Sequence, residues 1–364
     1  MQFRDLRAQY LNIKDDIDAG IAEVIESTNF ISGKKVDELE KKLADYVGVK
    51  HCITCGNGTD ALTLMMMAWG VKEGDAVFVP DFTFFASGEA VAFVGATPIF
   101  YDVCEETFNA DVNSLEQAIQ AVKEEGKLNP KVIIAVDLIG QPADYEKIES
   151  LAHKYELFLL EDGAQGFGGR IGSRKSCSFG DAATTSFFPA KPLGCYGDGG
   201  AVFINDDKLA EYLQSIRIHG KGSFKYDNVR IGMNSRLDTI QAAILLPKFK
   251  ALCEYELDLI NGVADQYSKL LNGLVKIPIV PSNFYSSWAQ YTIQLEIKNE
   301  RSNLQELLKA KDIPTMIYYP KPMHMQKAFA GIKQYVECPV TERLCDTVLS
   351  LPMHPYMKEE QIIF

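Results

Sequence analysis

The sequence predicts an α/β fold in which a mainly parallel sheet is flanked by helices. Along the first two thirds of the chain, short runs of apolar and β-branched residues alternate with longer segments of helical periodicity. Consecutive strands joined through a helix run in the same direction, because the crossover returns the chain to the same end of the sheet. No repeat and no low-complexity linker interrupts this alternation.

The strand candidates are short segments rich in apolar or β-branched residues. They are HCITC (51–55), AVFVP (76–80), TPIFYDV (97–103), KVIIAVDLI (131–139), ELFLLED (156–162), AATTSFF (182–188) and GAVFIN (200–205). The helix candidates between them are DALTLMMMAWG (60–70), ASGEAVAFVG (86–95), VNSLEQAIQAVKEEG (112–126) and DYEKIESLAHKYE (144–156). In such sheets ligands bind at the carboxyl ends of the strands.

The length of 364 residues favours two domains. We expect a large α/β domain over 1–245 and a small C-terminal domain over 246–364, with a linking helix at about 236–272. The strand-like YTIQLEI (291–297), a helix near 301–311 and the prolines of YYPKPMH (318–324) indicate that the small domain is α+β.

The composition excludes several classes of protein. With 37 Lys and Arg against 49 Asp and Glu, the net charge is −12, which does not suit a nucleic-acid backbone. The charged start lacks the apolar part of a signal peptide, and no apolar run reaches the ~18 residues of a membrane span. The eight cysteines are scattered. We therefore expect a cytoplasmic protein with reduced thiols and neither nucleic-acid nor membrane partners.

Several common site motifs are missing. Cys52 and Cys55 form a CxxC without a second pair, so we expect buried thiols in a strand rather than a metal site. The five histidines show no HExxH spacing, and we expect no metal. The sequence also lacks GxxxxGK[ST], a GxGxxG between strand and helix, and GxSxG.

Three strand ends carry chemically distinctive residues. GNGTD (56–60) opens a helix and could bind a phosphate, or it could be a turn with a threonine cap. Asp162 could hold a cationic heterocycle or a metal, or cap the next turn. Lys191 lies between two prolines and before several glycines. Together, an amine, a carboxylate and a helix N-terminus match pyridoxal phosphate, which forms a Schiff base with lysine.

Longer motifs support this interpretation. NGTDAL (57–62), DFTFFA (81–86), DLIGQPADY (137–145), EDGAQGFGG (161–169), SFFPAKPLGCYGDGGAVF (186–203) and GMNSRLDTIQAAIL (232–245) closely resemble the DegT/StrS family of nucleotide-sugar aminotransferases. The resemblance covers essentially the whole chain. It implies the type I fold of pyridoxal-phosphate enzymes, with a large α/β domain and a small C-terminal domain, and a homodimer whose active sites use both subunits.

The resemblance also implies the site residues. Lys191 would be the Schiff-base lysine and general acid/base, and Asp162 would pair with the pyridine nitrogen. Gln165 would contact the phenolic oxygen of the ring, and Phe84 would stack on the ring. The phosphate would be held by Gly58, Thr59, Ser186 and Asn234 of the partner subunit.

Two positions depart from the family pattern. The chain reads EDGAQ, with Gly163, where EDAAQ is commoner, and Gly166 stands where a serine is frequent. Neither position carries a required group, so only local packing differs. A branch of the family with histidine at the lysine position performs dehydration, and Lys191 indicates the transaminating branch.

The resemblance implies L-glutamate as amino donor and a two-stage, ping-pong cycle. SRKSCSFGDAATTSFFPAKPLGCYGDGGA, LDTIQAAILLPK and SLPMHPY look most like the subgroup that aminates C3 of UDP-2-acetamido-2-deoxy-3-oxo-glucuronate for bacterial surface polysaccharides such as O-antigen. Arg236, expected from the partner subunit, could bind the uronate, although relatives with neutral sugars also have this arginine. The substrate loop reads Tyr318-Tyr319-Pro320 where those relatives have His-Tyr-Pro.

Because of that departure, a UDP-3-oxo-N-acetylglucosamine or a 4-keto-6-deoxy sugar nucleotide stays open as the substrate. A non-catalytic regulator that binds pyridoxal phosphate is a further alternative. The intact pair of Lys191 and Asp162 disfavours a regulator, because a sensor needs no proton shuttle.

Overall fold

The computed structural model describes residues 1–224 and 226–363. The strands are β1 (His51–Cys55), β2 (Asp75–Pro80), β3 (Thr97–Tyr101), β4 (Asn129–Val136), β5 (Phe158–Asp162), β6 (Arg170–Ile171), β7 (Arg174–Lys175), β8 (Ala182–Ser186), β9 (Gly200–Ile204), β10 (Phe284–Tyr285), β11 (Tyr291–Gln294) and β12 (Val348–Leu351). The α-helices are α1 (Leu6–Asn12), α2 (Lys14–Ser27), α3 (Lys34–Val47), α4 (Gly58–Ala68), α5 (Ala86–Phe93), α6 (Val112–Glu125), α7 (Tyr145–Tyr155), α8 (Asp207–Ile216), α9 (Thr239–Ala251), α10 (Leu257–Leu271), α11 (Lys298–Ala310), α12 (Pro339–Thr347) and α13 (Glu359–Ile363).

The main sheet has seven strands in the order β1-β9-β8-β5-β4-β2-β3. Only β9 runs against its neighbours in this sheet, pairing antiparallel with β1 and with β8. The other adjacent pairs are parallel. The predicted α/β fold with a mainly parallel sheet is therefore confirmed, and the predicted strands and helices match observed ones to within a few residues at each end.

Helices cover both faces of the sheet, which explains the continuous apolar runs of its strands. On one face, Met65 of α4, Val91 of α5 and Leu213 of α8 pack on the strands in one buried cluster. On the other face lie α6 and α7, and next to them α3 and α9. The capping of α6 shows how the sequence sets a helix: the Asp111 side chain accepts from the first turn, and Gly126 ends the helix at φ 67°.

The predicted linking helix is made of α9 and α10, joined by one π-helical turn at Leu252–Glu256. Leu252 packs in the cluster of α3 and α9, whereas Ile260 packs with the two-stranded sheet of β11 and β12. The buried contacts thus change at the start of α10, between Leu257, which still packs on the cluster of α3 and α9, and Ile260. The domain boundary between 245 and 246 stays a prediction.

The cysteines fit the expectation from the sequence. Cys52 and Cys55 are buried in β1, and all eight cysteines are free thiols. None of the helices in the described part of the chain has the length and apolar character that crossing a membrane requires.

Candidate active site

The site lies where several strands end at one edge of the main sheet. Asp162 is the last residue of β5, and Ser186 is the last residue of β8. The parallel pairing of β5 with β8 sets Asp162 beside Thr184. The antiparallel strand β9 begins at this same edge, with Gly200 beside Ser186. The fold therefore gathers the predicted acid, hydroxyl and glycines at one place.

Asp162 is buried and held by two donors. The Ser87 hydroxyl donates to Oδ2 at 2.8 Å, and the Ala164 N–H donates to Oδ1 at 3.2 Å. Burial raises the pKa of Asp162, while these two hydrogen bonds and the charge of Lys191 lower it. The carboxylate is thus oriented by the protein and coupled to a nearby amine.

Lys191 lies on the turn after β8 and is fixed through its backbone. Its N–H donates to the Phe188 carbonyl at 2.9 Å, and its carbonyl accepts from Nη2 of Arg4 at 3.1 Å. Burial lowers the pKa of the Lys191 amine, the charge of Asp162 raises it, and Arg4 lowers it again. A lowered pKa increases the fraction of the amine that is neutral, and a lysine that transfers protons must be neutral to accept one.

The start of α4 offers free donors. The Asn57 side chain accepts from the Asp60 N–H at 2.8 Å, and the Asn57 carbonyl accepts from the Ala61 N–H at 3.1 Å. Among the described residues, no acceptor is found for the N–H groups of Gly58 and Thr59. Two open donors at the positive end of a helix form an anion site that suits a phosphate.

Close backbone packing explains the glycines here. A Cβ on Gly58 would stand 2.7 Å from Cβ of Ser186 and 3.2 Å from its hydroxyl oxygen. A Cβ on Gly200 would stand 2.5 Å from the Asn57 carbonyl oxygen. Glycine at both positions lets the start of α4 lie against β8 and β9, so that the Ser186 hydroxyl is next to the open N–H groups.

An aromatic side chain and an amide both lie against Tyr319. Gln165 is buried; its Oε1 accepts from the Ile139 N–H at 2.9 Å and its Nε2 donates to the Tyr319 hydroxyl at 3.1 Å. The Phe84 ring is 54% exposed and lies 6.2 Å, between centroids, from the Tyr319 ring. An exposed aromatic ring beside fixed polar groups is suited to stack on a planar ligand.

The two residues expected from a partner subunit lie on a separate segment. Asn234 is exposed and accepts from the Arg236 guanidinium. Ser235 between them points inward, where its hydroxyl accepts from the Gly56 N–H at 2.9 Å and donates to Asp60 at 2.6 Å. No hydrogen bond or ion pair joins Asn234 or Arg236 to Lys191 or Asp162 within residues 1–224 and 226–363. Their roles stay predictions.

Tyr318 lies on the same loop as Tyr319 and packs edge-to-face on Phe3, with 6.3 Å between ring centroids. Burial raises the pKa of Tyr318, and Arg4 lowers it. The N-terminal segment thus contributes to the site through Phe3 and Arg4. The assigned role of Tyr318 and Tyr319 in substrate binding stays a prediction.

The sequence analysis missed Ser87 and Arg4. Local spacing relates Ser87 only to Thr83, four positions earlier, whose hydroxyl lies 3.1 Å from that of Ser87. No local pattern points to Arg4, since its contact with Lys191 joins residues 187 positions apart.

Two buried carboxyl groups lie behind the site. Asp137 and Glu161 interact with each other, and burial raises the pKa of both, that of Glu161 far above its ordinary value. A Cβ on Gly166 would stand 2.2 Å from Oδ2 of Asp137, so a serine could not fit without rearrangement. The departure at Gly166 thus has a packing reason.

These observations fit pyridoxal phosphate residue by residue. An amine with a lowered pKa interacts electrostatically with a buried carboxylate, two open N–H groups and a hydroxyl lie at a helix N-terminus, and an exposed aromatic ring is available for stacking. The structure brings the predicted acid, hydroxyl and helix N-terminus to this edge of the sheet, and the roles assigned to these residues stay predictions.

Comparison with curated proteins gives full-length relatives. One is 45% identical over 363 residues, covering 100% of this chain and 97% of its own: the UDP-2-acetamido-2-deoxy-3-oxo-D-glucuronate aminotransferase of Pseudomonas aeruginosa. A UDP-N-acetyl-3-dehydro-alpha-D-glucosamine 3-aminotransferase of Acidithiobacillus ferrooxidans is 42% identical, covering 98% and 94%. A pleiotropic regulatory protein of Geobacillus stearothermophilus is also 42% identical, covering 98% and 94%.

Solved structures agree with the fold. A DegT DnrJ EryC1 StrS aminotransferase from Brucella abortus is 48% identical, has a TM-score of 0.97 and covers 100% of this chain and 96% of its own. NtdA from Bacillus subtilis, solved with bound cofactor PMP, is 29% identical with a TM-score of 0.85, covering 96% and 79%. The model of the DegT/DnrJ/EryC1/StrS aminotransferase family matches residues 11–363, and the chain belongs to this family.

Proposed function

We propose that this aminotransferase uses pyridoxal phosphate to transfer the amino group of L-glutamate to C3 of UDP-2-acetamido-2-deoxy-3-oxo-glucuronate, in the cytoplasm, for a bacterial surface polysaccharide such as O-antigen. The observation that carries the proposal is the pair of Lys191 and Asp162. The amine of Lys191 has a lowered pKa and is coupled to a buried, hydrogen-bonded carboxylate at the sheet edge.

When bound, pyridoxal phosphate supplies an aldehyde that takes up an amino group and a ring that accepts electrons from the neighbouring carbon. Lys191 would hold the cofactor and then, as a neutral amine, move protons at its Nζ. Asp162, oriented by Ser87 and the Ala164 N–H, would stay ionised against the pyridine nitrogen. The charge of Lys191 already favours the ionised form of Asp162 in the free chain.

Other residues of the chain would bind and orient. The N–H groups of Gly58 and Thr59, with the Ser186 hydroxyl, would hold the phosphate. Phe84 would stack on one face of the ring. Gln165 would meet the phenolic oxygen; its orientation is supported by the Ile139 N–H, which fixes which end of the amide is the acceptor.

The sugar is the finer part of the proposal. The relative from Pseudomonas aeruginosa, named for a 3-oxo-glucuronate nucleotide, favours a uronate, and Arg236 is the cation we propose for its carboxylate. The relative from Acidithiobacillus ferrooxidans, named for the 3-dehydro-glucosamine nucleotide, favours the neutral sugar. Tyr318 and Tyr319 are the other proposed substrate contacts. A 4-keto-6-deoxy sugar nucleotide is the remaining alternative.

We also propose a homodimer with shared sites, in which Asn234 and Arg236 of one subunit reach the other. The preceding segment exposes large apolar side chains, with Phe224 65%, Val229 54% and Ile231 85% accessible. Such a patch is typical of a protein–protein interface. If sites are shared, mixing Lys191→Ala and Asn234→Ala subunits should restore activity that neither homodimer has.

The substrate is tested by running the reaction backward. The enzyme receives 2-oxoglutarate and a panel of UDP- and dTDP-linked 3-amino and 4-amino sugars, and glutamate release is measured. Release with the 3-amino-glucuronate nucleotide and not with the neutral sugars supports the uronate. Release with 3-amino-N-acetylglucosamine or 4-amino sugars instead assigns the alternatives.

A regulator remains the second candidate, because one full-length relative carries that name. The visible absorption of the cofactor-loaded protein separates the two. Bleaching of the band on addition of L-glutamate supports an aminotransferase, and a band that ignores glutamate supports a regulator.

A further inference from the structure

Asp81 binds one distant segment of the chain through three groups. It is buried directly after β2. Its Oδ1 accepts from the His324 N–H at 2.8 Å, its Oδ2 lies 2.6 Å from Nδ1 of His324, and its carbonyl accepts from the Met323 N–H at 3.0 Å. These contacts fix two consecutive residues that follow Asp81 by more than 240 positions.

The segment beyond this anchor is packed into the core of the sheet. Met323 and Phe329 are buried, and the Phe329 ring lies 5.1 Å from that of Phe85 and 5.2 Å from that of Phe100. A Cβ on Gly88 of α5 would stand 2.9 Å from the Met323 side chain. The anchor at His324 is therefore continuous with a tightly packed region.

The loop before the anchor is fixed at its other end too. The backbones of Met316 and Ser350 exchange two hydrogen bonds, of 3.1 and 2.8 Å. Between them and Met323 lies the loop 317–322, in which Pro320 and Pro322 restrict the backbone. A short loop held at both ends and stiffened by proline has few conformations, and it carries Tyr319.

Asp81 also lies next in the chain to the aromatic residues that face Tyr319. Phe82 and Phe84 follow it in the chain, and their rings lie 6.1 and 6.2 Å from the Tyr319 ring. Asp81 thus connects Phe84 with Tyr319. It is linked to Phe84 through the intervening backbone, and to the loop of Tyr319 through its hydrogen bonds with His324.

We propose that Asp81 and His324 form a positioning pair that sets Tyr319 against Phe84 for the sugar nucleotide. This inference rests on the proposed function, because it assigns the Tyr319 loop to the sugar. Neither residue of the pair contacts the reacting groups of the site. Their effect on the reaction would pass through the loop 317–322.

His324 stands among acidic and weakly acidic groups. Its Nε2 lies 3.6 Å from Glu342, and Asp81, Asp102 and Cys338 are also nearby. Asp81, His324 and Cys338 resemble a set of metal ligands. However, the distance of 2.6 Å between Nδ1 of His324 and Oδ2 of Asp81 is that of a hydrogen bond. Two ligands of one zinc ion would lie farther apart, because each is about 2.0–2.2 Å from the metal.

Two substitutions of His324 separate the role of its Nδ1 from that of its size. In His324→Asn the side-chain amide can take the position of Nδ1 and still donate to Asp81. In His324→Gln the amide falls nearer the position of Nε2, toward Glu342, and the bond to Asp81 is lost. Both variants are compared with the wild type as cofactor-loaded full chains, with unfolding midpoints recorded as a check on folding.

We expect His324→Gln to lower kcat/KM for the sugar nucleotide by about 10- to 100-fold, the range that misplacement of a substrate-binding group produces. The visible cofactor band and the single-turnover reaction with L-glutamate should change less than about threefold in the same variant, and His324→Asn should stay within about threefold of the wild type throughout. A chelator should not reduce wild-type activity.

An equal loss in the glutamate and sugar half-reactions would overturn the proposal, as would loss of the cofactor band, unchanged kinetics in His324→Gln, or loss of activity with a chelator. If the wild type aminates no sugar nucleotide, the proposed function fails instead. The positioning pair is then judged by amide hydrogen exchange of residues 317–322, which must rise in His324→Gln and not in His324→Asn.

Discussion

The hydroxyl of Ser87 donates to Oδ2 of Asp162 at 2.8 Å, joining residues 75 positions apart. Ser87 belongs to α5 and Asp162 ends β5, so the bond ties a helix to the central strand of the site. Both residues are buried. Since the Ala164 N–H occupies the other oxygen, the carboxylate has one defined orientation.

Removal of this donor should weaken the site without unfolding the protein. In Ser87→Ala, Asp162 loses a hydrogen bond to a charged group, worth roughly 1.5–3 kcal/mol, so we expect about a 10- to 100-fold fall in kcat/KM. Thr83→Val is the matched control, because Thr83 contacts Ser87 at 3.1 Å rather than Asp162. Steady-state kinetics measure both; full activity in Ser87→Ala would contradict the assigned orientation.

A second lysine, Lys248, allows a matched test of Lys191. Lys248 is 1% exposed, and burial lowers its pKa to about 8, but its Nζ lies 4.8 Å from the Tyr196 ring and has no hydrogen-bond partner among the described residues. Lys191→Ala should abolish the glutamate half-reaction, a loss of roughly 100- to 10,000-fold or more. Lys248→Met should keep activity and not reduce stability, because it removes an unpaired buried cation. Turnover by Lys191→Ala at the normal rate would refute its role.

A pair of glycines tests the phosphate site. Gly58→Ala brings a methyl group to 2.7 Å from Ser186, and we expect cofactor affinity to fall by about tenfold or more as the open N–H groups shift. Gly262→Ala is the control: nothing lies within 4 Å of its added methyl group in α10, and alanine should stabilise that helix by about 1 kcal/mol. Cofactor titration and thermal unfolding measure the two effects. Unchanged affinity in Gly58→Ala would speak against the phosphate at this helix.

The departure at Gly163 predicts a coupling with Cys177. A Cβ on Gly163 would stand 2.8 Å from the sulfur of Cys177 and 3.2 Å from the Thr184 carbonyl. Gly163→Ala should cost roughly 1–3 kcal/mol in unfolding free energy through overpacking, and less in a Cys177→Ala background. Urea unfolding of the four proteins of the cycle measures the coupling; strictly additive costs would show that the sulfur is not the obstacle.

His354 predicts an acid-sensitive contribution to stability. It is 3% exposed, and burial lowers its pKa from 6.5 to about 4, with Arg4 adding to this and Asp5 opposing it. As the pH falls, His354 takes up a proton in the unfolded chain before it does so in the folded one. Its contribution to the free energy of unfolding is therefore complete above pH 6.5 and is lost as the pH falls toward 4. Urea midpoints at about pH 7.5 and about pH 5 should differ less in His354→Asn than in the wild type. An equal difference would assign the acid sensitivity to other groups.

The sequence predicted most strands, and the strand ends that carry Asp162 and Ser186, because the signals there are local. HCITC, for example, is β1 to the residue, and Asp162 and Ser186 fall at strand ends, where the sheet gathers them. The helices α1–α3 were not predicted, although Val36, Leu39 and Leu43 of α3 follow helical spacing and are buried. The contacts of Ser87 with Asp162 and of Arg4 with Lys191 depend on tertiary packing, which no local pattern encodes.

The substrate loop is harder to predict for the same reason. YYPKPMH signals a turn-rich segment through its prolines, yet nothing in its letters indicates that His324 meets Asp81 at the end of β2. Conversely, Gly166 in EDGAQG departs from the family pattern, and the closeness of Asp137, 2.2 Å from an added Cβ, gives that departure a packing reason.

The tie between Asp81 and His324 limits how sugar preference can be re-engineered by recombination. A chimera that takes residues 318–324 from a homologue and keeps the native residues 81–84 would combine two segments whose contacts come from different proteins. Chimeras that exchange both segments at once preserve the contact, and a larger share of them should be active than of chimeras that exchange one loop. Library crossovers are best placed so that these two distant stretches are inherited from the same parent.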